Sequence, residues 1–169
     1  MAFNFPILSA TIWLPIVGGV WIICSTRLAG DTFARWSSLF FAATTFLLSV
    51  LLWCGFDTST ADMQFGERLP WIRAFGIDYA VGIDGIALPL ILLTTFTTVL
   101  VVLAGWVVVK DRLSMYMGAF LILEGFMIGV FCALDAILFY IFWEAMLIPM
   151  FLIIGIWGGP ERVYATIKF

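Results

Sequence analysis

The sequence contains no histidine and few charged residues. Of its 169 residues, 11% are charged and 64% are hydrophobic, and the mean hydropathy is +1.15. A soluble domain is usually about a quarter charged and about half apolar. This chain has more apolar residues than a soluble core can bury, so it is an integral membrane protein. The lack of histidine excludes bis-histidine haem, histidine-based metal sites and Ser-His or Cys-His catalysis.

Cysteine and positive charge are also scarce. The three cysteines, Cys24, Cys54 and Cys132, lie far apart and form no CxxC spacing, which argues against zinc and iron–sulfur centres. The 8 Lys and Arg residues are outnumbered by 11 Asp and Glu residues, for a net charge of −3. This balance excludes a basic nucleic-acid-binding protein.

Long apolar stretches dominate the sequence instead. A bilayer core about 30 Å thick needs about 20 apolar residues per helix, and five stretches reach that length. They are apolar on every face, as lipid-buried helices are, and none has the period of two that a β-barrel requires. We predict an all-α membrane protein, in which residues 1–169 form a single membrane domain. Its five transmembrane helices are predicted at about residues 7–24, 36–55, 85–109, 114–134 and 136–157.

The longest connection, residues 56–84, lies between the second and third helices. Every second residue from Ile77 to Ile83 is a large apolar or aromatic residue. This strand-like period predicts a short external β-hairpin-like loop, with Gly76 as a turn residue. Asp84 follows at the position where an N-cap residue would begin the third helix.

The charges that flank the helices predict the orientation. With residues 25–35 in the cytoplasm, six Lys and Arg residues lie on the cytoplasmic side and two on the external side. The positive-inside rule favours this arrangement, so the N-terminus and the 56–84 loop are expected to be external, or periplasmic. The six are Arg27, Arg35, Lys110, Arg112, Arg162 and Lys168, and the two are Arg68 and Arg73.

Two carboxylates lie inside the predicted helices. Glu124 is near the middle of the fourth helix, and Glu144 is slightly to the external side of the middle of the fifth. A charge at this depth costs at least about 2.5–3.5 kcal/mol on insertion scales, and such residues usually mark proton or ion paths. We therefore predict that both carry translocated protons. The alternative is that each glutamate is neutral and forms a hydrogen bond between helices.

Two neighbouring features bear on Glu144. No Lys or Arg lies inside any predicted helix, so a cationic partner must come from beyond Phe169 or from another subunit, or not exist. Pro149 lies five residues after Glu144 and frees the carbonyl of Ala145 from its helical hydrogen bond. A helix break near an ionisable group is a transporter device, although proline also forms simple packing kinks in membrane helices.

The end of the sequence indicates that another helix follows. Gly158, Gly159 and Pro160 end the fifth helix, and residues 161–169 read as the approach to a further helix. We expect this chain to be the N-terminal fragment of a larger antiporter-like subunit.

Several stretches resemble one family. Residues 142–149 read F-W-E-A-M-L-I-P and resemble the F-W-E-x-x-L-x-P segment of subunit M of proton-pumping NADH:quinone oxidoreductase, complex I. The mitochondrial counterpart of that subunit is NADH dehydrogenase subunit 4. Residues 79–95 are similar to the family's entry into its third helix, and residues 165–169 to the start of its sixth. The resemblance covers nearly all of the chain from about residue 68.

The resemblance implies an antiporter-like fold of about fourteen helices, of which this chain would be the N-terminal third. Glu144 matches the fifth-helix glutamate of the family's proton-channel Glu–Lys pair, and Glu124 resembles a fourth-helix acid of many members. The implied function is to contribute half of a proton channel that couples quinone reduction to proton pumping. NAD, FMN, iron–sulfur clusters and quinone are then expected in other subunits, with no cofactor and no redox chemistry in this chain.

The resemblance also implies partners and a location. The partners are the other membrane subunits of complex I and the lipid bilayer, and the location is the bacterial inner membrane or the mitochondrial inner membrane. One alternative is the homologous subunit of a multi-subunit cation/proton antiporter or a membrane-bound hydrogenase, because these share the glutamate and the proline. The other is a non-pumping structural subunit that anchors its partners.

Overall fold

Helices account for most of the structure. The structure, a computed structural model, describes residues 6–169, apart from the side chains of residues 26–29 and 75. Five helices are long and apolar enough to cross a membrane, which confirms the predicted fold class. They are α1 (Ile7–Ser25), α2 (Gly30–Gly55), α3 (Ala87–Val108), α4 (Leu113–Cys132) and α5 (Ala136–Trp157). The other elements are strands β1 (Gln64–Ile72) and β2 (Ile77–Ile83), a 3-10 turn (Arg73–Phe75) and the short helix α6 (Arg162–Lys168).

The connection between α1 and α2 is much shorter than predicted. The backbone is helical from Ile7 to Gly55 except at Gly30, where φ is 74° and ψ is 176°. Glycine adopts a positive φ without the clash that a Cβ would cause, so the chain kinks at one residue instead of through a loop over residues 25–35. α2 begins at Gly30, and the predicted start at residue 36 is wrong. Arg35 therefore lies inside a helix, so the prediction that no Lys or Arg does so is also wrong.

The predicted hairpin is present. β1 pairs antiparallel with β2, from Gln64 opposite Ile83 to Ile72 opposite Ile77. Gly76 follows the 3-10 turn with a left-handed φ of 65°, which confirms its role in the turn.

The hairpin joins helix ends on one side of the bundle. The amide of Leu134, in the α4–α5 connection, donates to the carbonyl of Ala80 on β2 at 2.9 Å. At the other end of β2, the Asp84 carboxylate accepts hydrogen bonds from the amides of Ile86 and Ala87, at 3.1 and 2.7 Å. Asp84 thus caps the start of α3 as predicted, and the hairpin fixes that start relative to the α4–α5 connection.

α4 is the central helix, and α5 is an outer one. A Cβ on Gly125 of α4 would lie 2.6 Å from the carbonyl oxygen of Ile12 on α1, and a Cβ on Gly129 would lie 2.7 Å from the ring of Phe142 on α5. α4 therefore packs closely on two helices along one side, because positions four residues apart lie on the same helix face. Of the most hydropathic window in each helix, 56% is buried in α4 but only 17% in α5.

The α4–α5 connection is short and well ordered by hydrogen bonds. Only residues 133–135 separate the two helices. The Asp135 carboxylate accepts hydrogen bonds from the amides of Ile137 and Leu138, at 2.9 and 3.1 Å, and so caps the first turn of α5. α5 ends at Trp157, immediately before the predicted terminator, and the tail is helical again in α6.

Candidate functional site

The two membrane carboxylates lie at the same depth. Glu124 is eight residues before the end of α4 at Cys132, and Glu144 is eight residues after the start of α5 at Ala136. At 1.5 Å per residue, each lies about 12 Å from the connection between the helices. The predicted end of the fourth helix, at residue 134, had placed Glu124 about 3 Å deeper. The observed end at Cys132 removes that difference.

Glu124 is buried in the bundle and has no partner. Its side chain is 1% exposed, and neither carboxylate oxygen accepts or donates a hydrogen bond within residues 6–169. A buried polar group without a partner costs about 1–3 kcal/mol, and more if it is charged. A helix packed for stability alone would not place a glutamate there.

Glu124 lines a cavity between α3 and α4. The cavity has a volume of about 260 Å³. The α3 side contributes three threonines, whose positions at i, i+3 and i+4 place them on one face of the helix. The cavity is lined by Leu93, Thr94, Thr97, Thr98, Val101, Phe120, Leu123, Glu124 and Met127.

Glu144 has a different environment. It is exposed on the outer face of α5, where Tyr140 lies one turn earlier and interacts electrostatically with its carboxylate. Trp143 and Ile148, on either side of it, are 44% and 66% exposed. Glu144 does not line the Glu124 cavity, and neither glutamate is in a salt bridge with a described side chain. The structure therefore does not bring the two carboxylates into one site.

Pro149 lies within α5 and does not end it. The helix continues across Pro149 to Trp157, and the proline is buried. The helix break predicted near Pro149 therefore does not interrupt α5. Proline still lacks an amide hydrogen, so the Ala145 carbonyl, one residue after Glu144, loses its usual helical donor.

Two features of the helix bundle were missed from the sequence. The threonine face of α3 has a detectable signal, because Thr94, Thr97 and Thr98 repeat at helical spacing in an otherwise apolar helix. Arg35 is the second: it is half-buried, and its Nε has no hydrogen-bond partner among the described residues. The sequence had placed Arg35 in the connection between the first two helices, because Gly30, Asp31 and Arg35 have the composition of a loop.

A polar cluster joins the hairpin to the start of α1. The amides of Leu8 and Ser9 donate to the Glu67 carboxylate, at 2.9 and 3.2 Å, and the Ser9 hydroxyl donates to it as well. The Tyr79 hydroxyl lies 3.0 Å from the Ser9 hydroxyl and accepts a hydrogen bond from Trp13 Nε1 at 3.3 Å. Burial raises the pKa of Tyr79 above its usual value, against the opposing effect of these hydrogen bonds. The carboxylate satisfies helix amides that have no intrahelical partner.

Known protein families match this chain. Residues 133–169 match a family model described as NADH:quinone oxidoreductase/Mrp antiporter, TM. NADH-quinone oxidoreductase subunit M of Rhodobacter capsulatus is 48% identical over 166 residues, which are 96% of this chain and 32% of that protein. NAD(P)H-quinone oxidoreductase chain 4 of Synechococcus sp. (strain WH7803) is 41% identical over 168 residues, 98% of this chain and 30% of that protein.

Solved structures agree with these relatives. A chain in the structure of respiratory complex I from Thermus thermophilus with bound NADH matches with a TM-score of 0.80 and 28% identity, over 95% of this chain and 31% of that one. A chain of the membrane-bound sulfane sulfur reductase, an archaeal respiratory membrane complex, matches with a TM-score of 0.70 over 97% of this chain and 33% of that one. At 14% identity, the second match shows a shared fold only. The chain spans about a third of the length of its curated relatives, and over nearly all of its own length it is similar to subunit M, or chain 4, of NADH-quinone and NAD(P)H-quinone oxidoreductases.

Proposed function

We propose that this chain contributes half of a proton channel in the membrane arm of an NADH:quinone oxidoreductase and couples quinone reduction to proton pumping. The observation that carries the proposal is a pair of carboxylates at equal depth, about 12 Å inside the bundle, one of them buried without a hydrogen-bond partner among residues 6–169. The redox cofactors belong to other subunits, and the partners of this chain are the other membrane subunits.

Glu144 is the residue that we expect to exchange a proton with a partner outside this chain. Its helix is the least buried of the five, and the face around it is broad and apolar, with exposed Tyr140, Trp143 and Ile148. Further helices of a subunit about three times as long can pack on this face. A lysine that approaches from such a helix would stabilise the charged carboxylate, and its withdrawal would let the proton return.

The test is replacement of Glu144 in the assembled enzyme. Glu144→Gln keeps the size of the side chain but cannot ionise, so we expect most quinone reductase turnover and pumping to be lost. NADH oxidation by artificial acceptors should persist, because it does not use the membrane arm. Glu144→Asp keeps the charge on a shorter arm and should retain part of the activity. Normal turnover of a Glu144→Gln enzyme that assembles fully on native gels would show that the carboxylate is structural.

Glu124 is expected to contribute less than Glu144. Glu124 has no hydrogen-bond partner on the described helices and faces α3, whereas Glu144 is exposed on the outer face of α5. We therefore assign Glu124 a secondary proton-carrying role. Glu124→Gln should lower turnover partly, and less than Glu144→Gln under the same conditions. An equal or greater loss would reverse the ranking of the two sites.

The orientation is a proposal that labelling can test. The six-to-two distribution of Lys and Arg places the hairpin outside. Ser59 is exposed in the connection between α2 and the hairpin, and Lys110 is exposed in the α3–α4 connection at the opposite end of the bundle. A Ser59→Cys enzyme should react with an impermeant thiol reagent from the external side, and a Lys110→Cys enzyme only from the cytoplasm. The opposite pattern would invert the topology.

A further inference from the structure

The cavity between α3 and α4 leaves polar atoms without partners. Both oxygens of Glu124 are buried and unpaired among residues 6–169. More than nine in ten buried polar groups in proteins have a hydrogen-bond partner, which is often an ordered water. A cavity of about 260 Å³ has room for several waters, since each occupies about 30 Å³ in the liquid.

The three threonines of the cavity are not equivalent. The Thr94 hydroxyl donates to the carbonyl of Leu90 at 2.8 Å, and the Thr98 hydroxyl donates to the carbonyl of Thr94 at 3.0 Å. Because each of these hydroxyls already donates its hydrogen, it can only accept a further hydrogen bond. The Thr97 hydroxyl has no hydrogen-bond partner in the described part of the chain and is exposed at the mouth of the cavity. It can donate and accept at once.

We propose that this cavity binds water that connects Glu124 to the surface of α3, and that Thr97 is the residue that positions this water. The inference rests on the proposed role of Glu124 in proton transfer and deepens it by naming the route. Thr94 and Thr98 accept hydrogen bonds from the same water and hold it against the helix. The route is separate from Glu144, which does not line the cavity.

The proton step needs only the carboxyl group and water. Both Glu124 oxygens are buried in the structure, so the side chain must first rotate them towards the cavity. The O–H bond of the protonated Glu124 then breaks, its electron pair stays on the carboxylate, and the proton forms a new bond to a water oxygen. The resulting hydronium passes the proton to the next water towards Thr97. The reverse sequence reloads the carboxylate. Thr97 donates a hydrogen bond to the water and undergoes no covalent change.

Water access can be measured with cysteines on α3. In the whole complex, with Cys24, Cys54 and Cys132 of this subunit replaced, Thr97→Cys is compared with Leu100→Cys. Leu100 lies one turn further along, is 49% exposed and does not line the cavity. Because a thiol reacts as its thiolate, which forms where water reaches, Thr97→Cys should react with a small charged thiol reagent at least about tenfold faster. Equal, slow rates at both positions would overturn the proposal.

The positioning role has a separate test. Thr97→Val removes the hydroxyl and keeps the shape, and it should lower pumping-coupled turnover about tenfold. This is less than the about 10²–10⁴-fold that a group transferring the proton itself contributes, because Thr97 only positions the water. Thr97→Ser should restore most of that loss. The matched control is Thr44→Val on α2, because the Thr44 hydroxyl only donates to the Phe40 carbonyl of its own helix, at 2.7 Å. This control should turn over like the parent enzyme.

The outcomes separate this inference from the proposed function. If Glu124→Gln impairs turnover while Thr97→Val does not, the water-positioning role is wrong and the role of Glu124 stands. If Glu124→Gln leaves turnover and pumping intact, the proposed role of Glu124 fails. The labelling rate at Thr97→Cys then decides whether the cavity holds water at all.

Discussion

The Glu67 carboxylate should hold the first turn of α1 against the hairpin. It accepts hydrogen bonds from the amides of Leu8 and Ser9 and from the Ser9 hydroxyl, although Glu67 is 59 residues from Leu8 in the sequence. Hydrogen bonds to charged groups contribute about 1.5–3 kcal/mol and neutral ones about 0.5–1.5 kcal/mol. The negative charge adds about 0.3–1 kcal/mol at a helix N-terminus. Glu67→Gln keeps one acceptor but loses the charge, so it should cost about 1–2 kcal/mol of local stability.

Native-state hydrogen exchange of the assembled complex measures this loss directly. A change of 1.4 kcal/mol is a factor of ten in an equilibrium constant, so the amides of Leu8 and Ser9 should exchange about 5 to 30 times faster in Glu67→Gln. The control is Asp62→Asn, which removes the charge of an exposed carboxylate just before β1 and should leave those amides unchanged. Parental exchange rates at Leu8 and Ser9 in Glu67→Gln would refute the reasoning.

Three further changes test the packing and the polar contacts of the bundle. Gly125→Ala would place a methyl group 2.6 Å from the Ile12 carbonyl oxygen, so the complex should lose about 1–3 kcal/mol of stability in thermal unfolding. The control is Gly159→Ala, which has open space around it and should leave the stability unchanged. Asp135→Ala removes the α5 cap and should cost about 1 kcal/mol, measured as faster exchange of the Ile137 and Leu138 amides, and Asp135→Asn should keep most of the cap. The raised pKa of Tyr79 means that the folded state keeps a proton which the unfolded state releases above about pH 10. Thermal stability should therefore fall above that pH, and less steeply in Tyr79→Phe; identical pH profiles for the two enzymes would contradict this assignment.

The sequence was sufficient to predict the helices because their signal is local. Runs of about 20 apolar residues have few other structures open to them. Four of the predicted helices both start and end within about two residues of the observed positions. The start of the second helix failed for a local reason. Asp31 and Arg35 have the composition of a loop, but Gly30 turns the chain in a single residue, and such polar residues are compatible with the first turns of a helix.

The environment of each glutamate was beyond the reach of sequence patterns. α4 and α5 are apolar on every face, so no periodicity indicates which face is inside. Glu124 is buried on the side of α4 that faces α3, and that side depends on how the helices pack. The hydrogen bonds between Glu67 and the start of α1 join residues far apart in sequence, so no local sequence pattern predicts them.

The positions of the two glutamates limit how they can act together. The three-residue connection joins the two helices at one end, so the carboxylates lie at one depth. Glu124 faces α3, however, while Glu144 faces outwards from α5. A proton that passes from one to the other must go around α4, through water or through groups outside this chain. Equal depth on different faces therefore favours two separate exchange sites over a carboxylate pair that shares one proton.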